Sequence, residues 1–245
     1  MAALGDSITR AYDVCCWYGD HPAESWSTGN NSLDSIASHY ERLASVNSGI
    51  IGNQHNDART GAKASDLTTQ VATAVSQRAR YITVLIGAND LCTSSPATMT
   101  STTTFASQIR AALATLIQDL PKARIFVSSI PNLYQLWSVL HTNSLATWVW
   151  STAGVCQSML SSSETEADRQ VVVDRENAFN ATLATACQSY ARCRWDNYAT
   201  YNYQFSASQV SILDYFHPSL SGQAALARVT WNASWYCSWT SSCSS

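Results

Sequence analysis

Short apolar runs alternate along this chain with longer segments in which apolar residues recur at helical spacing. The clearest run, residues 81–86, is rich in β-branched side chains and is typical of a strand buried in a parallel sheet. The pattern predicts the α/β class: a three-layer α/β/α sandwich whose central, mostly parallel sheet has five strands. The predicted strands are residues 2–4, 46–52, 81–86, 123–129 and 193–196. The predicted helices are residues 32–44, 64–79, 105–119, 169–191 and 219–231.

Composition indicates a globular protein without a nucleic-acid partner. A chain of 245 residues with 46% hydrophobic content can bury one core, so residues 1–245 are expected to form a single domain that acts as a monomer. The net charge of −3 provides no basic surface for nucleic acid. No segment of the sequence is long and apolar enough to be predicted as a membrane span.

The eight cysteines indicate disulfides, because they lack the Cys-x-x-Cys spacing of a zinc site. Local pairs of Cys187 with Cys193 and of Cys237 with Cys243 are candidates. The adjacent Cys15 and Cys16 are expected to bond to different partners, since a bond between neighbours strains the peptide. Disulfides form in oxidising compartments. We therefore expect a secreted, extracellular protein whose leader peptide is absent from this sequence.

Ser7 is the first candidate for chemistry. It follows Gly5 and Asp6, where the first predicted strand stops and the chain turns. A serine there lies at the carboxyl edge of the sheet, where open α/β folds bind their ligands, and can serve as a nucleophile. The alternative is ordinary turn chemistry, because Gly and Asp favour turns for backbone reasons alone.

His217 is the best candidate for the base that such a serine needs. Asp214 precedes it by three residues, so its carboxylate can orient one ring nitrogen and leave the other for Ser7. The alternative is an aspartate at the entry to a helix with a buried histidine beside it. The other histidines lack a comparable partner: His21, His39, His55 and His141.

Asn89 and Gly61 are candidates for stabilising an oxyanion. Asn89 follows the buried strand 81–86, where its uncharged amide can donate a hydrogen bond toward Ser7. Gly61 precedes a predicted helix and would let a bare backbone N–H approach the reacting carbon. Taken alone, Gly61 is better explained as a loop glycine.

These motifs together resemble the four sequence blocks of the SGNH, or GDSL-type, serine hydrolases. Gly-Asp-Ser at Ser7, then Gly61, Gly-Ala-Asn-Asp at Asn89 and Asp-Tyr-Phe-His at His217 occur in the family's order. The one departure is Ile8, where the family name has leucine. The resemblance implies a flavodoxin-like SGNH fold and a catalytic triad of Ser7, His217 and Asp214. It also implies an oxyanion hole built from the backbone N–H groups of Ser7 and Gly61 and the Asn89 side chain.

Within that family, residues 25–27 and 86–92 look most like the phospholipase B branch, including secreted actinobacterial relatives. The resemblance implies two-step acyl transfer without a metal or organic cofactor. The implied substrates are acyl esters of lipids, above all phospholipids or lysophospholipids. The alternatives are a carbohydrate or small acyl-ester esterase with the same site, and a binding module that keeps the fold without catalysis.

Residues 130–160 are rich in apolar and aromatic side chains and have two interpretations. They could line an acyl pocket and bring the site into transient contact with a lipid surface, because indole rings favour such interfaces. They could equally cover one edge of the sheet. The residues concerned are Tyr134, Trp137, Leu140, Trp148, Val149 and Trp150, and a second candidate wall consists of Trp17, Tyr18 and Trp26.

Overall fold

A five-stranded parallel sheet forms the centre of the computed structural model, which describes residues 1–237. Its strands run in the spatial order β2-β1-β3-β4-β5. Every pairing is parallel, so all carboxyl ends lie at one edge. The predicted α/β architecture is therefore confirmed. The strands are β1 (Ala2–Gly5), β2 (His55–Asn56), β3 (Tyr81–Leu85), β4 (Arg124–Val127) and β5 (Cys193–Trp195).

Helices connect the strands and cover the sheet. The longer ones are α1 (His39–Val46), α2 (Leu67–Ser76), α4 (Thr102–Asp119), α5 (Leu133–Leu140), α6 (Ser144–Ala153), α8 (Glu166–Gln188) and α10 (Leu220–Ala233). Single-turn helices are α3 (Ala88–Leu91), α7 (Gln157–Leu160) and α9 (Ala199–Asn202). Short 3-10 turns lie at Pro22–Glu24, Ser48–Ile50, Ala64–Asp66, Pro96–Thr98 and Ala207–Gln209. Among residues 1–237, no helix has the length and apolar character to cross a membrane.

Side chains alternate between the two faces of the sheet along each strand, and different helices pack on each face. Leu4, Val84 and Val127 are in register and pack toward α2, α4 and α8. The neighbouring positions point the opposite way. Phe126 there meets the ring of His39 on α1 at a centroid distance of 5.7 Å, and His39 in turn contacts α10 through Thr230. Both faces of the sheet are therefore buried, as continuous apolar runs require.

Two predicted elements in the first third of the chain are wrong. The helix expected at 32–44 begins only at His39, because Ser38 and Glu41 form a capping box that fixes its start. The strand expected at 46–52 is instead the end of α1 and a 3-10 turn, and Val46 and Ile51 are 65% and 61% exposed. The strand that pairs with β1 is the short β2 at His55–Asn56.

Two disulfides are present among the described residues. Cys187 and Cys193 are bonded, which confirms that local pair, and Cys92 is bonded to Cys156. Cys243 lies outside the described residues, and so does its predicted pairing with Cys237. The expectation that Cys15 and Cys16 bond to different partners is wrong for the described part of the chain. Neither is bonded to a third cysteine there, and their two sulfur atoms lie against each other.

Candidate active site

Ser7 lies where β1 ends in an unusually close approach to β3. Gly5 has a φ of +152°, and a Cβ atom there would lie 2.3 Å from the backbone oxygen of Leu85. Only glycine fits such a position. The chain then turns, and the Asp6 carboxylate accepts a hydrogen bond of 3.0 Å from the Ile8 N–H. This turn places Ser7 at the carboxyl edge of the sheet, where the sequence predicted it.

The structure brings Ser7, His217 and Asp214 into one line of hydrogen bonds. His217 Nε2 lies 2.7 Å from Ser7 Oγ, and His217 Nδ1 is hydrogen-bonded to Asp214 Oδ2. The His217 and Asp214 side chains are only 11% and 12% exposed, which limits competition from water. The arrangement can move a proton from the serine hydroxyl to the imidazole.

The Asp214 carboxylate is held in its charged form. Its other oxygen, Oδ1, accepts hydrogen bonds of 2.9 and 3.0 Å from the backbone N–H groups of Phe216 and His217. Burial acts to raise the pKa of Asp214, but the His217 hydrogen bond and charge, together with these N–H groups, leave the pKa below its ordinary value. Asp214 is therefore suited to hold one tautomer of the His217 ring and to stabilise an imidazolium.

The loop that carries His217 is tied down at both ends. Ser211 N donates to His217 O at 2.8 Å, and Ser219 N donates to Gln209 O at 2.9 Å. At its outer bend, the carbonyl of Tyr215 accepts a hydrogen bond of 3.0 Å from Trp150 on α6. Ser219 then caps α10. Backbone closure and one buried indole thus fix the histidine opposite Ser7.

Asn89 and Gly61 lie on two adjoining segments. Asn89 occupies the first turn of α3, directly after β3, and its Nδ2 donates to the carbonyl of Ala62 at 3.0 Å. Asp90 Oδ2 also accepts a hydrogen bond of 2.8 Å from Ala64 N. Gly61 adopts a φ of +78° at this junction. Within residues 1–237, the N–H groups of Ser7 and Gly61 donate to no protein acceptor, so both remain available to a ligand.

Two buried glutamines support the site, and the motif reading missed both. Gln70 on α2 accepts from Gly5 N at 2.7 Å and donates to Gly5 O at 2.8 Å. Gln223 on α10 accepts from Trp26 N at 2.9 Å and donates to Ile8 O at 2.8 Å. Gln70 gives the Gly5 N–H an acceptor and adds a second donor to the Gly5 carbonyl, which also accepts from Arg59 N at 3.1 Å. Gln223 ties the backbone of Ile8, directly after Ser7, to that of Trp26. The available signal was a glutamine on the apolar face of a predicted helix.

His39 and His21 make hydrogen bonds that stabilise the fold and do not contact Ser7. His39 is fully buried between the hydroxyls of Tyr81 and Thr230, at 2.7 and 2.9 Å. Burial lowers the pKa of His39 to about 3, so the ring is neutral. His21 contacts the carbonyl of Trp17. Across the described residues there is no group of three or more His, Cys, Asp or Glu side chains placed to hold a metal ion.

An apolar cleft opens beside Ser7. Its wall includes Ile8 and Ala88 next to Ser7 and Asn89, Phe216 next to His217, and Leu133 and Leu136 on α5. Most of its lining is apolar, with Asn132, Gln135 and Gln209 as the polar side chains, and such a lining suits an alkyl chain.

None of the aromatic side chains singled out from the sequence lines this cleft. Trp137 stacks on His141 and lies over the Arg169 guanidinium, away from the cleft. Trp26 and Trp150 are core residues, at 0% and 1% exposure. Trp17 and Tyr18 are 67% and 69% exposed. Of residues 130–160, then, the first helix lines the cleft and the tryptophans do not.

Comparisons with known proteins agree with this architecture. A model of the GDSL-like Lipase/Acylhydrolase family matches residues 3–225. Phospholipase A1 from Streptomyces albidoflavus NA297 is 13% identical over 92% of this chain and 96% of its own, with a TM-score of 0.50. An active-site mutant of a family two carbohydrate esterase from Clostridium thermocellum is 12% identical over 92% of this chain and 60% of its own, with a TM-score of 0.49. At these identities the likeness concerns the fold alone. No curated protein matches the sequence.

Gln70 provides a test of how the serine turn is held. Gln70→Leu removes the acceptor of the buried Gly5 N–H and one of the two donors to the Gly5 carbonyl, which keeps its hydrogen bond from Arg59 N. It should therefore lower the free energy of unfolding by about 1–3 kcal/mol. It should also lower kcat, because Ser7 is two residues from the freed backbone. Denaturant unfolding and ester hydrolysis measure the two effects. Gln170→Leu, on an exposed helix face, is the matched control and should change stability by less than about 0.5 kcal/mol. Equal effects of the two substitutions would contradict the assignment.

Proposed function

This chain belongs to the GDSL-like lipase/acylhydrolase family and is an ester hydrolase, and we propose that it is a secreted serine enzyme that cleaves acyl esters of lipids. The observation that carries the proposal is the continuous line of hydrogen bonds from Ser7 Oγ through the His217 ring to Asp214. A binding module would have no use for a serine, a buried imidazole and a carboxylate in this order.

In the proposed first step, Ser7 Oγ attacks the ester carbonyl carbon while His217 Nε2 takes the hydroxyl proton. Asp214 keeps the Nδ1 proton in place and stabilises the imidazolium. The carbonyl oxygen, now negative, would accept hydrogen bonds from the Ser7 and Gly61 N–H groups and from the second N–H of Asn89 Nδ2, whose first is bonded to Ala62. The C–O bond of the ester then breaks, and His217 returns its proton to the departing alcohol.

The second proposed step releases the acid. Water attacks the acyl carbon on Ser7, His217 takes one of its protons, and the same oxyanion donors stabilise the second tetrahedral intermediate. Collapse breaks the bond to Ser7 Oγ, which recovers its proton from His217. Proton transfer of this kind contributes on the order of 10²–10⁴-fold to rate, and each oxyanion donor contributes on the order of 10²–10³-fold.

The hydrocarbon lining of the cleft supports a fatty acyl group as the acid portion of the substrate. Phospholipids and lysophospholipids are the proposed substrates, and residues 25–27 and 86–92 support assignment to the phospholipase B-like branch. Exposed Trp17 and Tyr18, the latter within hydrogen-bonding distance of Leu213 O on the His217 loop, support transient contact with a lipid surface.

The proposal extends to location and organisation. The two disulfides support an oxidising compartment, and hence secretion. We assign residues 1–245 to one catalytic domain that acts as a monomer without a cofactor or a nucleic-acid partner.

Substitutions in the triad test the mechanism. Ser7→Ala should abolish nearly all turnover while the protein stays folded, because the nucleophile is removed without a cavity or a charge. Asp214→Asn should lower kcat by about 10⁴-fold, because the His217 ring loses the acceptor that fixes its tautomer. The measurement is hydrolysis of a soluble p-nitrophenyl ester, with circular dichroism to verify folding.

The matched controls are Ser189→Ala and Asp119→Asn, which alter an exposed serine directly after α8 and an exposed aspartate at the end of α4. Both should retain full activity. Undiminished turnover by Ser7→Ala would disprove the nucleophile assignment.

The cleft predicts a dependence on acyl length. Each buried methylene contributes about 0.8 kcal/mol, so kcat/KM should rise from acetate to octanoate esters of p-nitrophenol. Leu136→Trp should fill the cleft and lower kcat/KM for octanoate at least tenfold, with little change for acetate. Ser138→Trp, at an exposed position of the same helix, is the control and should leave both values unchanged. A wild-type preference for acetate would instead favour the small-ester alternative.

A further inference from the structure

Cys15 and Cys16 are adjacent cysteines whose sulfur atoms almost touch. Their Sγ atoms lie 2.6 Å apart, closer than two non-bonded sulfur atoms pack, and approaching the covalent distance of about 2.05 Å. Neither is bonded to another cysteine among residues 1–237. Cys92, Cys156, Cys187 and Cys193 are committed to the two disulfides of the core, and Cys237 is also disulfide-bonded.

The backbone around these cysteines is strained. Trp17 N donates to Cys15 O at 2.7 Å, which closes a three-residue turn, and Cys16 at its centre has a φ of +66°. A γ-turn with positive φ is rare and unfavourable for a residue other than glycine. Such strain persists only where the surroundings impose it. Packing around Cys16 is sparse, because Cys16 is exposed and Trp17, whose carbonyl and ring contact His21, is 67% exposed.

We infer that Cys15 and Cys16 form a disulfide with each other, and that this bond imposes the turn at the tip of the segment 11–19. The contact between the sulfur atoms of Cys15 and Cys16 and the positive φ of Cys16 are two separate observations, and one covalent bond explains both. A bond between neighbouring cysteines strains the peptide, and the turn at Cys16 has the positive φ of a strained backbone.

The bond would form by thiol–disulfide exchange with an external disulfide, such as glutathione disulfide or an oxidised thiol oxidoreductase. Cys16, the exposed thiol, attacks that disulfide as a thiolate and forms a mixed disulfide, which releases one thiol. Cys15 then attacks Cys16 Sγ and displaces the second thiol. The two cysteines lose two electrons and two protons, and the donor leaves as two thiols. Burial and the neighbouring Cys16 raise the pKa of Cys15 to about 12, which is why Cys16 is the initiating thiol.

The bond would brace a segment that contacts the proposed catalytic base. Tyr12, at the start of the segment, has its ring centroid 5.1 Å from that of His217 and donates from its N–H to Ser7 O at 3.0 Å. Asp13 and Gly19 close the neck, with Gly19 N donating to the Asp13 carboxylate at 2.7 Å. Breaking the bond between Cys15 and Cys16 would therefore alter the position of His217 through its contact with Tyr12.

This disulfide should be easier to reduce than the bond of Cys92 with Cys156. Adjacent Cα atoms are about 3.8 Å apart across a trans peptide, which is shorter than the 4.2 Å between those of Cys92 and Cys156. Cys16 is also exposed, whereas Cys156 is buried. Strained and exposed disulfides have the more oxidising potentials.

Peptide mapping of the protein secreted from a eukaryotic host tests the bond directly. The protein is denatured, alkylated with iodoacetamide without reductant, and digested with trypsin. Cleavage after Arg10 and Arg42 releases residues 11–42, which contain Cys15 and Cys16 and no other cysteine. We expect this peptide to carry no alkyl group and to be two hydrogen atoms lighter than its reduced form.

The bond between Cys92 and Cys156, mapped in the same digest, verifies that the sample was oxidised. Two alkyl groups on residues 11–42 in that sample would overturn the inference. So would a cross-link from Cys15 or Cys16 to another peptide. Neither result bears on the proposed ester hydrolysis, which does not use these thiols.

A second measurement tests the bracing of His217. A reductant is titrated until mapping shows that residues 11–42 are reduced while Cys92 and Cys156 remain bonded. Hydrolysis of a soluble ester should then fall several-fold. The Cys15→Ser/Cys16→Ser double variant should start at the lower rate and not respond to the same reductant. Full activity of the wild-type protein after reduction of the bond between Cys15 and Cys16 would disprove its effect on His217. If the reductant lowered the activity of the double variant by the same factor as that of the wild type, the effect would belong to another disulfide.

Discussion

The close contact between Gly5 and the backbone of Leu85 determines where everything else in the site can lie. It joins the end of β1 to the end of β3 at a distance that no side chain permits. Ser7 follows β1 and Asn89 follows β3, so this contact brings the candidate nucleophile and a candidate oxyanion donor to the same edge of the sheet. Gln70 completes the junction by hydrogen-bonding both polar groups of Gly5.

The rest of the site is brought to that edge from the far end of the chain. His217 lies 210 residues from Ser7, and its loop is closed by backbone hydrogen bonds before α10 begins. Gln223, one helical turn beyond the cap, returns to Ile8 and Trp26. The same contacts that fold α10 onto the sheet therefore align the base with the serine. The contacts that stabilise α10 on the sheet therefore also set the geometry of the candidate site.

Motifs dominated by local chemistry could be predicted, and contacts between distant segments could not. The strand at Tyr81–Leu85 and the spacing of Asp214 and His217 are visible in a few consecutive residues. The second strand was misplaced because 46–52 is as apolar as a strand, yet Val46 and Ile51 face solvent and only two residues, His55 and Asn56, pair with β1. Gln70 and Gln223 carry no motif, since their partners are backbone groups of remote residues. The sequence favours different partners for Cys15 and Cys16 because a bond between neighbours strains the peptide, and the backbone of Cys16 has the positive φ of such a strained turn.

Covalent labelling of Ser7 is the most direct test of the central claim, that this serine is an activated nucleophile. A fluorophosphonate forms a bond only with such a hydroxyl, and trypsin releases Ser7 in residues 1–10, which contain no other serine. We expect one label per molecule, located on Ser7, with ester hydrolysis lost in proportion to labelling. An active protein that remains unlabelled at Ser7, or one inactivated by a label at another residue, would contradict that claim.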